Sequence, residues 1–246
     1  MVAKKKAKGT ILITGASRGL GYEFAKQYAA DGWHVIATCR QPEKAMQLKK
    51  LVNDSDSISL FQLDVVDDKS VKRLAKTLAR TPIDLLLHNS GTRGQGAYGQ
   101  GRGEQSFGTH NYKVWKDVFD TNTLGRLRVM EALYKNVKAA KGIIANISSA
   151  GGSIAFAGKR TGSLAYQVSK CGLNMIVRST AEDARKDKVT VVGICPGKTR
   201  TQKWHTVKSH PVGPAESVQS VRKTISKLRL KDTGRFMDQF GKDIPW

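Results

Sequence analysis

"TILITGASRGLGYEFAKQYAADG", residues 10–32, decides how the rest of the chain is read. The run "TILIT" (10–14) is β-rich and apolar, which predicts a buried strand. "GYEFAKQYAADG" (21–32) has helical spacing and ends on Gly32, a helix stop. Between them, Gly15, Gly19 and Gly21 follow the spacing G-x-x-x-G-x-G. Glycines there permit positive φ and close backbone approach, and the helix that follows offers its first N–H groups and its positive dipole end to phosphates. A strand, a glycine turn and a helix in that order start a βα unit with an anion-binding corner.

The same alternation continues outward from this unit. "WHVIATC" (33–39), "ISLFQLD" (58–64), "IDLLLHN" (83–89), "GIIANIS" (142–148), "VTVVGICPG" (189–197) and "RFMDQF" (235–240) are predicted strands. Helices are predicted at 42–52, 67–80, about 115–137, about 163–185 and 214–228. Strictly alternating strands and helices imply an α/β fold of three layers, a doubly wound parallel sheet of about seven strands with helices on both faces. The apolar run at 83–89 suits a strand covered on both faces. A Gly-rich loop, 92–110, interrupts the alternation. The expected organisation is a basic tail at 1–9 and a single domain at 10–246.

Composition narrows the function classes. The chain has 246 residues, long enough to bury a core without disulfide or metal staples. Cys39, Cys171 and Cys195 lie far apart, the five histidines do not cluster with carboxylates, and no metal is assigned. Cysteine usage fits a reducing, cytoplasmic compartment, and no apolar run is long enough to span a bilayer. Lys and Arg number 42 against 20 Asp and Glu, a formal charge of +22. Apart from "KKKAK" (4–8) these cations are spread along the chain, with no nucleic-acid-binding motif, so specific nucleic-acid binding is not expected. Weak adhesion to polyanions at low salt is.

After the second predicted strand the sequence reads "ATCR", with Cys39 and Arg40 where NAD-selective sites place an acid on the adenine ribose. Arg18, in the glycine turn, is a second cation. Two cations and no carboxylate point to a 2′-phosphate and so to NADP(H) in preference to NAD(H). Further along, "LAYQVSKCG" (164–172) sets Tyr166 four residues before Lys170, stacked on one helix face. An ammonium beside a phenol stabilises the phenolate, although this spacing alone also arises by chance on helix surfaces.

The motifs TGASRGLG (14–21), Asp64-Val65, HNSG (88–91), Asn122, NISS (146–149), Tyr166-QVS-Lys170 and PGKTRT (196–201), in this order and at these intervals, resemble the short-chain dehydrogenase/reductase family along nearly the whole chain. The ending "GRFMDQFGKDIPW" and "GSIA" after NISS look most like its C-factor and sniffer-like carbonyl reductase branch. The resemblance implies a Rossmann-type fold and an oxidoreductase that reduces a ketone or aldehyde to an alcohol, or the reverse. It implies that Gly15, Ser17, Arg18, Gly19, Leu20 and Gly21, with Arg40, Asp64 and Val65, bind NADP(H), with Asp64 at the adenine. Asn89, Ser90 and Gly91 support the ribose and sheet; His88 and Ser90 depart from the family's usual Asn-Asn-Ala-Gly. Pro196, Gly197, Thr199 and Thr201 flank the nicotinamide.

The implied catalytic set is Asn122, Ser149, Tyr166 and Lys170. Tyr166 donates a proton to the carbonyl oxygen as hydride arrives from the nicotinamide. Lys170 tunes Tyr166 and holds the nicotinamide ribose, Ser149 hydrogen-bonds the substrate oxygen, and Asn122 holds a relay water. Much of the family has its serine nearer the tyrosine, where Ser153 would match; Ser149 is chosen because it stands at the strand end, with 150–163 a longer loop and Ser153 a pocket wall. A small carbonyl or alcohol is the expected partner, with Arg93, Lys203 and Trp204 favouring an aromatic or acidic one, and a homodimer or homotetramer is compatible with the family. The alternative is a cofactor-binding signalling or scaffold protein with a basic partner surface and little turnover.

Overall fold

In the computed structural model, residues 7–94, 107–157, 163–199 and 212–246 are described. Seven strands form one sheet: β1 (Thr10–Thr14), β2 (His34–Cys39), β3 (Ile58–Gln62), β4 (Leu85–His88), β5 (Ile143–Ile147), β6 (Thr190–Cys195) and β7 (Phe236–Asp238). All pairings are parallel and the order is β3-β2-β1-β4-β5-β6-β7. The helices are α1 (Gly19–Ala30), α2 (Met46–Asn53), α3 (Asp68–Thr77), α4 (Tyr112–Phe119), α5 (Gly125–Ala140), α6 (Leu164–Arg185) and α7 (Pro214–Ile225).

Strand alternation builds two cores. From β1, Ile11 and Ile13 join Phe24 of α1, Leu48 of α2 and Val218 of α7 on one face. Leu12 joins Val71 of α3, Val129 of α5 and Val177 of α6 on the other. Leu12 pairs with Ile36 on one side and Leu86 on the other, and all three are essentially inaccessible. A strand buried on both faces needs apolar residues at every position, which is why the central strands read as continuous apolar runs. The chain winds outward from β1 to β3, then returns to β4 and winds the other way. The crevice at the carboxyl ends of β1 and β4 is therefore the topological switch point, where ligands of such sheets bind.

Two helices differ from their sequence expectation. The predicted 42–52 helix begins as a 3-10 turn, Pro42–Lys44, and α2 starts only at Met46. The predicted 115–137 helix starts earlier, ends later, and is interrupted by a π turn, Asp120–Leu124, between α4 and α5. The π turn reaches back with Gly125 N–H donating to the Asp120 carbonyl. Gly125 has no room for a side chain, since a Cβ would lie 2.9 Å from Val65 Cγ2.

Candidate active site

The site begins where the glycine turn meets the end of β4. Buried Thr14 accepts hydrogen bonds from Asn89 N–H, Ser90 N–H and Ser90 Oγ at 3.1, 3.1 and 2.6 Å, and Asn89 Nδ2 donates to the Gly15 carbonyl at 3.0 Å. Thr14 is the hub of this corner, and only its place before the turn hinted at that. Gly21 must be glycine because a Cβ would lie 2.1 Å from the Gly15 oxygen, so α1 packs directly on the turn. The first turn of α1 has neither a side-chain cap nor an acid. Its orphan N–H groups suit a phosphate. Exposed Arg18 is its N-cap; Ser17 and Gly19 are half-buried, and half-buried Leu20 packs on the core.

The ends of β2 and β3 frame a cavity of about 470 Å³ whose walls include Arg40, Asp64, Asp67 and Glu43. Glu43 modifies the expectation that no acid lies here. Asp64 Oδ1 accepts from Val66 N–H and Asp67 Oδ1 caps α3 through Lys69 N–H, so these two carboxylates are partly committed to backbone. Val65 is buried in the core against Gly125. On the opposite side, Gly197 takes φ +76 and the Pro196 carbonyl is fixed by Ser217 Oγ at 2.7 Å, with Thr199 Oγ1 beside both. Thr201, like Lys203 and Trp204, lies outside the described residues. An uncapped helix end and a glycine corner at the switch point, with a polar cavity beside them at the ends of β2 and β3, fit a dinucleotide.

Tyr166 and Lys170 share one face of α6. Tyr166 is half-buried beside Val114, Val118 and Trp115. Lys170 is 3% exposed; its Nζ lies 5.7 Å from the Tyr166 ring centroid and donates to the Ile147 carbonyl at 2.9 Å. That bond carries the ammonium to the end of β5, where Ser148 and Ser149 follow. A Cβ on Gly152 would lie 2.6 Å from the Lys170 carbonyl carbon, so the 150–152 turn sits against α6 at the lysine. The three serines differ in their commitments. Ser148 Oγ donates to Asn174 Oδ1, and Ser153 Oγ donates to the Pro245 carbonyl, both at 2.6 Å. The Ser153 hydroxyl proton is thus committed to the carboxyl-terminal tail. Half-buried Ser149 only accepts, from Gly151 N–H at 3.1 Å, leaving its hydroxyl proton to give.

The Asn122 side chain is a fastener. Its Oδ1 accepts from Thr92 N–H, and its Nδ2 donates to the Thr92 carbonyl and to Ser169 Oγ. Both amide protons are spent, so the side chain fixes the loop after β4 and α6 and has none left for a relay water.

Arg126 was absent from the sequence expectation. It is 1% exposed, and its guanidinium donates to the carbonyls of His88 and Ile147 at 2.9 Å and of Ser90 at 2.6 Å. No carboxylate pairs with it among the described residues. Burial lowers its pKa to about 10. Lys170 is held well below the ordinary lysine range, first by burial, then by the charges of Arg126 and Arg93. The Arg93 guanidinium carbon lies 4.7 Å over the Tyr166 ring.

The family model for short chain dehydrogenases matches residues 9–211. The chain belongs to that family. NADPH-bound carbonyl reductase from chicken fatty liver superposes with a TM-score of 0.87 at 28% identity, covering 98% of this chain and 96% of the other. Carbonyl reductase Sniffer of Drosophila melanogaster gives 0.84 at 25% identity, covering 97% and 99%. An uncharacterised oxidoreductase of Schizosaccharomyces pombe is 27% identical over 96% of both chains. This short-chain dehydrogenase is an NAD(P)-dependent oxidoreductase acting on a small molecule. Among its described residues no helix is long and apolar enough to cross a membrane, and no cluster of His, Cys, Asp and Glu could hold a metal.

His88 gives the site an acid sensitivity. It is fully buried, neither ring nitrogen has a partner, and burial with the Arg126 charge pushes its pKa down to about 3 from 6.5. The unfolded chain therefore takes up a proton below pH 6.5 that the folded chain refuses until about pH 3. Stability from this group is complete above pH 6.5 and falls by about 1.4 kcal/mol per pH unit as the pH drops through that window. Urea unfolding from pH 7 to pH 4 should show that slope flattened by about this amount in His88→Leu. An unchanged slope would mean that His88 is protonated in the fold.

Proposed function

We propose that the protein reduces a carbonyl compound with NADPH, using Tyr166 as proton donor, Lys170 as its electrostatic partner and Ser149 as hydrogen-bond donor to the substrate oxygen. The observation that carries this is the bond from Lys170 Nζ to the Ile147 carbonyl. It brings the Tyr166–Lys170 face of α6 to the end of β5, two residues before the one NISS serine whose hydroxyl remains a donor. The bound nicotinamide supplies or accepts the hydride. Everything else falls to the chain. Tyr166 Oη gives its proton to the substrate oxygen as charge develops there, and the Lys170 ammonium favours the resulting phenolate. Ser149 Oγ–H, held by the Gly151 contact, stabilises the same oxygen without reorganising. The Asn122 side chain keeps the Thr92 loop and α6 in register.

NADPH oxidation with activated ketones, aldehydes and quinones tests the reading. Tyr166→Phe should nearly abolish turnover while NADPH still binds. Ser149→Ala should lose ~10²–10³ in kcat, the usual cost of one such donor, and Ser153→Ala much less. Substantial activity in Tyr166→Phe would place the proton donor elsewhere.

The cofactor preference rests on Arg40 in the adenosine-side cavity and on Arg18 at the start of α1. A guanidinium to phosphate contact contributes on the order of 1.5–3 kcal/mol, which outweighs Glu43 if Arg40 faces the 2′-phosphate. Titration should give tighter binding of NADPH than of NADH, and Arg40→Asp should erase or reverse the difference. Equal affinities in the unmodified protein would refute the preference.

A further inference from the structure

We infer that a buried water is a fixed part of this site, held between His88, Asn146 and Arg126 beside the Ile147 carbonyl to which Lys170 donates. It belongs to the fold and does not depend on which cofactor or substrate the protein takes.

The register of the sheet marks the place. Leu12, Ile36, Leu86, Ile144 and Val191 pair side by side across five strands, and all belong to the core against α3, α5 and α6. Side chains alternate faces along a strand, so the next row on that face lies two residues on. It reads Thr38, Thr14, His88, Asn146 and Gly193, again paired side by side. The four side chains of this row are inaccessible to solvent. A buried polar row thus follows a buried apolar one at the carboxyl ends of the strands.

Half of that row is satisfied by the protein. Thr38 Oγ1 donates to the Ile13 carbonyl, and Thr14 Oγ1 accepts from Asn89 N–H, Ser90 N–H and Ser90 Oγ. The other half is not. Neither ring nitrogen of His88 has a partner, nor has Asn146 Oδ1, while Asn146 Nδ2 reaches only the Val192 carbonyl at 3.5 Å. Arg126 comes to the same place from α5. Its Nη1 donates to the carbonyl of His88 itself and to that of Ile147, the residue after Asn146, and its buried Nε has no partner. Buried polar atoms in folded proteins are almost always bonded, and an orphan costs more than ordering one water.

The chemistry of the orphans selects water. Burial and the Arg126 charge keep the ring neutral, so it carries one N–H and one acceptor nitrogen. Arg126 Nε–H is a donor and Asn146 Oδ1 an acceptor. A water does both: it accepts from Nε–H, donates to Oδ1 and bonds the ring nitrogen that faces them. A chloride would be repelled by the Asn146 oxygen, and a metal ion by the guanidinium. His88 and Asn146 stand on adjacent strands about 4.8 Å apart without bonding each other, a separation that one water bridges. The water completes the hydrogen bonds of Arg126, whose other protons hold the carbonyls of His88, Ser90 and Ile147.

A crystal structure of the unmodified protein at neutral pH should show an ordered water at roughly 2.7–3.2 Å from Arg126 Nε, Asn146 Oδ1 and a ring nitrogen of His88. Direct bonds among these side chains, or no density there at a resolution that shows other buried waters, would overturn the inference. Stability answers with a sign. In a dry site His88→Leu removes two orphan nitrogens and loses nothing, so the urea midpoint should rise. With the water in place the same change removes one of its partners, and the midpoint should fall. The comparison is made well above pH 6.5, where the ring is uncharged in the folded and unfolded chains alike. A raised midpoint would overturn the inference. If His88→Leu does not fold, ¹⁷O magnetic relaxation dispersion decides by counting long-lived waters in the unmodified protein and in Asn146→Leu: the loss of one supports the site, and equal counts remove it.

Discussion

The carbonyl oxygen of Ile147 accepts hydrogen bonds from two cations, Lys170 Nζ and an Arg126 Nη, each at 2.9 Å. The organisation of the site depends on this junction. Arg126 also holds the carbonyls of His88 and Ser90, so one guanidinium ties the end of β4, the loop after it and the end of β5 to α5. Lys170 ties the same point to α6. A buried cation needs its protons satisfied or its charge neutralised; here backbone carbonyls accept from Lys170 Nζ and from both Arg126 Nη groups, Arg126 Nε has no protein partner, and no carboxylate pairs with either cation among the described residues. The arrangement also explains Gly91, where a Cβ would crowd Asn122 Oδ1 at 3.1 Å and Arg126 Nη2 at 3.4 Å.

Electrostatics at the site follow from the junction. Burial first, and then the charges of Arg126 and Arg93, hold Lys170 well below the ordinary lysine range, and the shift falls on the lysine because arginine holds its proton far more tightly. The Arg126 charge acts with burial to keep the His88 ring neutral. The excess positive charge of this chain, +22 formally, is thus not confined to solvated lysines. Part of it is buried beside α6, where Arg126 and Lys170 share the Ile147 carbonyl and the Arg93 guanidinium lies over the Tyr166 ring.

Much of this was legible in the sequence. The strands fall where expected because the central ones are apolar at every position, a consequence of burial on both faces. The glycine turn was legible because its spacing encodes backbone contact. The breaks near Pro42 and at the π turn were not, since apolar periodicity is blind to a local change of hydrogen-bond register. Arg126 was overlooked although the signal existed: it shares a helical face with Val129, Met130, Leu133 and Val137, all buried. The choice between Ser149 and Ser153 could only be argued by position, because the bond that commits Ser153 to Pro245 joins residues 92 apart. The Asn122 amide contacts with Thr92 and Ser169 are hidden for the same reason.

The ionisation of Lys170 tests the central junction most directly. Protein carrying ¹³C-labelled lysine side chains can be titrated by NMR, with the Lys170 resonance assigned by its disappearance in Lys170→Met. The account predicts a midpoint well below the ordinary lysine value of about 10.4, and a shift toward that value in Arg126→Met, which removes the neighbouring charge. A Lys170 that titrates like a surface lysine, or that does not respond to Arg126→Met, would contradict it.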